Sequence, residues 1–171
     1  MTAALAALPE AFAIWHNADC HVAEGPGPSM SGIADLVRTL GGPRLVPAKN
    51  AEELRDLVRA GLPYASLSAV VSGFSLDGAE VVSILRIPAR TLARRKRERR
   101  LSPEESDRLF RLGRIGALAE DVLGSREKAN RWLHSANRGL GGVAPLSQLD
   151  TDLGAERVEE VLLRLAHGVV G

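Results

Sequence analysis

The sequence predicts an all-α protein. Apolar residues recur at helical spacing along most of the chain, and Ser, Asn or Thr precedes several of these segments, where an N-cap belongs. No segment shows the alternation of polar and apolar residues that a half-buried strand requires. The 171 residues are enough for one compact domain or for two small ones.

Residues 1–45 are predicted to form an N-terminal extension and linker. The succession of Gly and Pro at 25–28 interrupts any helix that precedes it. A short helix is expected next, with Ser31 as its cap and with Gly41 and Gly42 as its end.

Residues 46–101 are predicted to hold four helices. Asn50 caps the first of them, and the second covers residues 64–73. We expect Ser75 to cap the third helix. A short Arg-Ile-Pro connection follows, and its Pro88 suits the first turn of the fourth helix, where the missing N–H would have been unpaired anyway.

Residues 102–171 are predicted to form a second helical domain. Ser102 can cap a long helix, with Pro103 at its first position and Glu105 completing a capping box. Apolar residues at helical spacing then continue to Gly124, which ends the helix. The remaining segments are a helix over 126–134, a Gly-rich loop with a short helical turn, and a last helix from Thr151 or Asp152 to Gly168.

The charge of the chain is unevenly distributed. The formal net charge is only +1, but residues 86–114 hold 11 Lys and Arg against 4 Asp and Glu, a local balance of 11 − 4 = +7. Residues 1–85 have a balance of 5 − 9 = −4, and residues 115–171 one of 6 − 8 = −2. A basic segment between acidic ones is the electrostatic pattern of a nucleic-acid contact.

The basic segment coincides with a predicted helix-turn-helix. Two short helices joined by a tight turn, the second of them polar and basic, are typical of this motif. Leu92 and Ala89 are expected to anchor the second helix, and Arg86 occupies the turn position at which glycine is favoured. Because the guanidinium group can bind guanine at two points, we predict that four side chains face the major groove: Arg90, Thr91, Arg94 and Arg95. Phosphate contacts are predicted from Lys96, Arg97, Arg99 and Arg100.

A solvated helix face or a linker between subdomains would also explain the basic segment, since a run of charge is usually one of these. The concentration of the charge between acidic flanks, directly after an apolar two-helix pattern, favours DNA binding over this alternative.

A further set of residues in the last 71 positions follows a recognisable order. It begins with LSPEES at 101–106 and continues with Gly124, Trp132, Leu133, Asn137, Leu140, Gly141, Gly142, Pro145, Thr151, Gly154, Val158, Leu162, Arg164, His167 and Gly168. On these residues the chain resembles the Xre/MbcA/ParS-type antitoxins of bacterial toxin–antitoxin modules. Residues 63–100 resemble the helix-turn-helix half of the same family.

The resemblance implies an antitoxin, not an enzyme, with no cofactor. It implies a homodimer that binds the operator DNA of its own operon through the helix-turn-helix half. It also implies that the carboxyl-terminal half binds a RES-domain toxin, an enzyme that consumes NAD+, and covers the entrance to the toxin's active site. The residues that the resemblance places at the toxin belong to the last helix and the tail: Arg164, His167, Gly168, Val169, Val170 and Gly171.

Two alternatives from other classes remain open at the level of sequence. The chain can be a plain transcription regulator whose carboxyl-terminal domain only dimerises, or an adaptor in which the arginines serve solubility. We expect a cytoplasmic protein, because a lone Cys20 cannot form an internal disulfide and no apolar run approaches the roughly 18 residues that span a bilayer.

Other functional sites find little support in the sequence. His16, Cys20 and His21 lie close to Asp19, but no second ligand pair accompanies them, so no metal site is predicted. The GLGG segment at 139–142 lacks the Gly-Lys-Ser/Thr ending of a phosphate loop and is expected to be a structural turn. Trp132 is expected in the core.

Overall fold

The computed structural model describes residues 30–168, and no strand occurs within these residues. The all-α class is therefore confirmed, with the helix-turn-helix half preceding the carboxyl-terminal half. The helices are α1 Met30–Thr39, α2 Ala51–Ala60, α3 Tyr64–Gly73, α4 Gly78–Leu85, α5 Ala89–Glu98, α6 Pro103–Leu123, α7 Arg126–His134 and α8 Asp152–Ala166. Two 3-10 turns, Arg138–Leu140 and Pro145–Gln148, connect α7 to α8.

The longest helix, α6, lies at the centre of the molecule. It packs against α1, α2, α3 and α4, which precede it in the chain, and against α7 and α8, which follow it. Its fully buried Leu109, Leu112 and Ile115 each contribute about 1.5–3 kcal/mol of hydrophobic stabilisation. Both halves of the chain therefore share one core, although the sequence predicted a division at residue 101, directly before α6. That division stays a prediction.

Most of the predicted helix ends are those of the structure. Asn50 caps α2, since its side chain accepts a hydrogen bond from the Glu53 N–H at 2.8 Å. Ser102 and Glu105 form the predicted capping box at the start of α6, and Gly124 ends that helix in the left-handed conformation. These ends were predictable because each cap bonds a residue only three or four positions away.

Two predicted caps are wrong. α1 begins at Met30, so Ser31 lies inside the helix and cannot have the extended backbone of a cap. α4 is capped by Asp77 instead of Ser75. The Asp77 side chain accepts a hydrogen bond from the Glu80 backbone N–H, and the Glu80 side chain accepts one from the Asp77 backbone N–H, which together form a capping box. Ser75 instead occupies the turn after α3 at a φ of +52°, which allows the following Leu76 to be buried.

The Gly-rich loop is a structural turn, as expected. Asn137 and Val143 face each other in a single antiparallel bridge, and Gly141 and Gly142 turn the chain between them at φ values of +76° and +84°. Next to it, Trp132 is half-buried and packs against the core instead of lying fully within it.

The contact between the two halves depends on a close approach between α6 and the end of α3. The ring of Phe74, which is fully buried, lies directly against the backbone of Gly116. The Arg126 guanidinium from α7 lies 5.6 Å from the centroid of that ring and also pairs with Glu120 at 2.8 Å. A residue with a side chain at 116 would collide with the ring.

We therefore predict that Gly116→Ala lowers the free energy of unfolding by about 1–3 kcal/mol, the cost of overpacking, despite the better helix propensity of alanine. Gly32→Ala is the matched control, because Gly32 lies inside α1 with open space around it. It should be neutral or stabilising by up to about 1 kcal/mol. Urea unfolding followed by circular dichroism measures both; equal effects would contradict the packing argument.

Candidate nucleic-acid interface and carboxyl-terminal surface

The helices α4 and α5 and the turn between them form a helix-turn-helix unit. Arg86 ends α4 in the left-handed conformation, with φ +52° and ψ +39°, at the position where the sequence analysis expected glycine to be favoured. Ile87 is only 1% exposed and fixes the turn to the core, and Pro88 stands at the N-cap of α5, one residue before its first turn. The end of α4 is closed by Arg108 of α6, whose Nη1 donates to the Leu85 carbonyl at 3.1 Å.

The second helix of this unit, α5, is unusually exposed. None of its ten residues is buried. Thr91 and Leu92 are half-buried, and Leu92 packs against the core as predicted. The other predicted anchor, Ala89, is wrong, because it is exposed at the start of α5. Because a helix with so little buried apolar area gains little from packing, polar contacts must contribute to its position.

The outward side of α5 carries exposed arginines with few partners. Arg90, Arg94 and Arg97 share this side by helical spacing, and all three are exposed. The only ion pair among them joins Arg94 Nε to Glu98 at 3.6 Å. Within residues 30–168, hydrogen bonds and ion pairs are absent from four side chains of the segment: Arg90, Lys96, Arg97 and Arg99. Their charge is available to an external anion.

Arg95 differs from its neighbours. Its side chain is 19% exposed, its Nε donates to Glu105 at 2.7 Å, and its Nη1 donates to Glu98 at 2.8 Å. These hydrogen bonds, chiefly the one to Glu105, raise the pKa of the Arg95 guanidinium, so it stays charged at every physiological pH. Two carboxylates thus occupy the guanidinium that the sequence analysis placed in the major groove. We leave Arg95 out of the proposed DNA-contacting set.

The segment after α5 is attached to the start of α3. The Tyr64 N–H donates to the Arg99 carbonyl at 3.0 Å, and the Leu101 N–H donates to the Leu62 carbonyl at 2.9 Å. Arg100 Nε donates to the Gly61 carbonyl at 2.9 Å, so this arginine holds the linker instead of remaining free for phosphate. 

One residue of the outward side was missed by the sequence analysis. Ala93 is exposed and, at three and four residues from Arg90 and Arg97, lies on their side of α5. A small apolar side chain between arginines suits contact with a thymine methyl group. Its helical spacing was the signal that could have identified it.

The outer side of the last helix, α8, carries the predicted toxin-binding residues. Arg164, His167 and Gly168 are exposed, and Arg164 forms only a long ion pair of 3.8 Å with Glu160. The opposite side packs into the core, where Val158 and Leu162 are fully buried. The predicted tail residues, Val169, Val170 and Gly171, lie outside the described residues.

Exposed large apolar side chains occur only in the carboxyl-terminal half of the described region. They are Val143 at 40%, Leu153 at 70% and Leu163 at 45% exposure. Leu153 and Leu163 both belong to α8, and Leu163 is directly adjacent to Arg164. Because exposed apolar area beside polar groups is typical of a protein-binding surface, α8 has the character of an interface.

Comparisons with known proteins match both halves of the chain. Residues 53–114 match the model of the antitoxin Xre-like helix-turn-helix domain, and residues 118–168 match that of the antitoxin Xre/MbcA/ParS C-terminal toxin-binding domain. The antitoxin Xre of Yersinia enterocolitica is 34% identical over 126 residues, which cover 72% of this chain and 85% of that one. The antitoxin Xre of Photorhabdus laumondii is 31% identical over 137 residues, covering 79% and 90%. The chain belongs to the Xre antitoxin family.

A third relative matches a shorter region. The antitoxin Xre of Pseudomonas putida is 46% identical over 83 residues, which cover 48% of this chain and 52% of that protein. As an antitoxin of the Xre family, the protein is not an enzyme. The helix-turn-helix match contains α4 and α5, and the toxin-binding match contains all of α8.

The described residues of this antitoxin offer neither a metal site nor a membrane-spanning helix. No group of three or more potential metal ligands occurs among residues 30–168; His16, Asp19, Cys20 and His21 lie outside that range. None of the helices between those limits is long and apolar enough to cross a membrane.

The buried pair of Arg95 and Glu105 gives a stability prediction. Arg95→Ala should lower the free energy of unfolding by about 1.5–3 kcal/mol, the range for a lost hydrogen bond to a charged group, because Glu105 is left buried beside no cation. Arg97→Ala removes the same charge from an exposed position and should change the free energy of unfolding by less than about 0.5 kcal/mol. Thermal and urea unfolding compare the two, and similar losses would show that the Arg95–Glu105 pair contributes nothing.

Proposed function

We propose that this Xre-family antitoxin neutralises a RES-domain toxin that degrades NAD+, by covering the active site of the toxin, and represses its own operon by binding operator DNA. The observation that supports this most directly is the presence of two surfaces of different chemistry. One is the arginine-rich outward side of α5, and the other is the partly apolar outer side of α8.

The DNA-binding half of the proposal rests on the outward side of α5. An α-helix with its side chains is about 10–12 Å in diameter, which suits a major groove about 12 Å wide, and the ten residues of α5 extend about 15 Å. Arg90, Arg94 and Arg97 are the proposed base and phosphate contacts on this side, with Lys96 and Arg99 on flanking phosphates. Thr91 is half-buried, and its exposed part stays a proposed contact to the major groove.

The operator is proposed to be bound by a homodimer. One α5 reads one half-site, and specific recognition by helix-turn-helix proteins combines two half-sites about one DNA turn apart. A palindromic operator and a symmetric dimer satisfy this requirement together. Light scattering of the free protein and footprinting on the promoter of its own operon test the two statements separately.

The toxin-binding half of the proposal rests on α8 and the tail. Leu163 supplies exposed apolar area, and Arg164 and His167 supply charge and hydrogen bonds on the same side of the helix. The tail, Gly168 to Gly171, follows α8 in the sequence, is short and apolar, and is proposed to enter the active-site cleft of the toxin.

The identity of the toxin is supported by the family resemblance of residues 101–171. We propose that its gene adjoins that of the antitoxin and that both products act in the cytoplasm. Co-purification of the two gene products and measurement of cellular NAD+ on toxin expression, with and without the antitoxin, test this directly. NAD+ that stays constant when the toxin is expressed alone would contradict the RES-domain assignment.

For DNA binding, we predict that Arg90→Ala with Arg97→Ala weakens operator binding by roughly 1–3 kcal/mol for each lost contact and lowers the salt slope of binding by about 2. The matched control is Arg44→Ala with Arg59→Ala, which removes the same charge from two exposed positions outside α4 and α5. Fluorescence anisotropy with operator DNA at several salt concentrations measures both. Equal losses in the two double variants would place the DNA surface elsewhere.

For toxin binding, we predict that deletion of residues 168–171 together with Leu163→Asp abolishes rescue of cells that express the toxin. The deletion removes the tail from the cleft, and the carboxylate places an unpaired charge within an apolar contact. The Arg90→Ala, Arg97→Ala variant is the reciprocal control and should rescue fully.

These variants also separate the proposal from the alternative of a regulator whose carboxyl-terminal half only dimerises. In that case no rescue occurs even with the unaltered protein, whereas the proposal requires rescue by the unaltered protein and its loss in the Leu163→Asp variant with the deletion.

A further inference from the structure

One carboxylate oxygen connects the DNA-facing helix to the central helix. Glu105 Oε2 accepts a hydrogen bond from the Ser102 N–H at 2.8 Å, which completes the capping box of α6. The same oxygen accepts from Arg95 Nε of α5 at 2.7 Å. Because the capping box and burial fix the Glu105 side chain, the oxygen is already in place for Arg95.

The ends of α5 are held by other contacts. At its start, buried Ile87 fixes the turn to the core. At its end, the Tyr64 N–H donates to the Arg99 carbonyl, and the Leu101 N–H donates to the Leu62 carbonyl. These contacts hold the two ends of the helix, and neither hydrogen bond involves a side chain of α5, so rotation of the helix about its own axis is opposed mainly by the contacts between its ends.

Between the ends, few contacts oppose such a rotation. Within the helix only Thr91, Leu92 and Arg95 are even half-buried. Thr91 and Leu92 present only a little partly buried apolar area, whereas the hydrogen bond from Arg95 Nε to Glu105 joins α5 to α6 in a fixed direction and opposes rotation of α5. The second carboxylate, Glu98, belongs to α5 itself and holds the guanidinium in its direction on that helix. A rotation of α5 that displaced Arg95 would displace Arg90 and Arg97, on the opposite side of the helix, by a similar distance.

We propose that Arg95 and Glu105 form a positioning pair: they set the rotation of α5 about its own axis, and thereby the directions of Arg90, Arg94 and Arg97, without touching DNA. This inference rests on the proposed DNA binding by α5. It makes Glu105, an acidic residue that DNA would repel, a requirement for sequence-specific binding.

Binding of operator and of unrelated DNA by Glu105→Gln tests the pair. Glutamine also serves in a capping box, so α6 keeps its start while the charge partner of Arg95 is lost. We expect operator affinity to fall about tenfold, the order of one bidentate base contact. Affinity for unrelated DNA and the salt slope should stay unchanged, because no phosphate contact is removed.

Glu104→Gln is the matched control. It removes the same charge from the same first turn of α6, at an exposed position that has no hydrogen bond or ion pair within residues 30–168. It should leave the ratio of specific to unspecific affinity unchanged. Arg97→Ala serves as the reference for a direct contact, for which the salt slope falls by about 1.

Arg95→Lys keeps the experiment decisive should Glu105→Gln be too unstable to measure. Lysine retains the charge beside Glu105 but lacks the fixed fork that holds both carboxylates. It should reproduce the loss of operator affinity at an unchanged salt slope, with its fold checked by circular dichroism and toxin binding.

Three outcomes would separate the possibilities. Unchanged operator affinity in both Glu105→Gln and Arg95→Lys overturns the positioning pair. Arg95→Ala removes the charge of Arg95. If the salt slope of this variant falls by about 1, the positioning pair is overturned too, because Arg95 would then contact phosphate. If Arg97→Ala and Arg90→Ala also leave DNA binding intact, the proposed DNA surface itself is wrong.

Discussion

The structure depends on the burial of one helix between the two halves of the chain. α6 packs against four helices that precede it and two that follow it. Its apolar positions are spaced so that Leu109, Leu112 and Ile115 reach different neighbours, while Gly113 and Gly116 leave room for the side chains of Leu40 and Phe74. A helix in this position cannot shift without disturbing every element of the core.

This arrangement leaves α5 at the edge of the core. α5 has no buried residue of its own, so most of its arginines stay in solvent and its position relies on polar contacts with α6 and the α2–α3 connection. The proposed DNA binding requires α5 to keep a polar outward side and still be held rigidly, because base contacts depend on direction. The proposed positioning pair fits both requirements, since half-buried Arg95 and buried Glu105 contribute no apolar surface.

The carboxyl-terminal half also packs on α6, and it presents a second outward-facing helix, α8. α8 buries Val158 and Leu162 against α6 and presents Leu163, Arg164 and His167 outward. Ion pairs between α6 and α8, such as Arg114 with Glu159 at 2.8 Å, hold the helix while its outer side remains available to a partner. An antitoxin of the Xre family thus combines two outward-facing helices whose common support is α6.

The sequence by itself determined the helical class, most helix ends, the helix-turn-helix and the basic side of α5. These features follow from residues within about four positions of one another, where spacing alone decides which groups meet. Only the tertiary structure decided which arginines are free. Arg95 and Arg100 stand in the same run as Arg97, but their partners, Glu105 and the Gly61 carbonyl, are brought to them by folding across ten and 39 positions. Charge and spacing identify the basic helix, whereas the partner of each guanidinium depends on how distant segments pack.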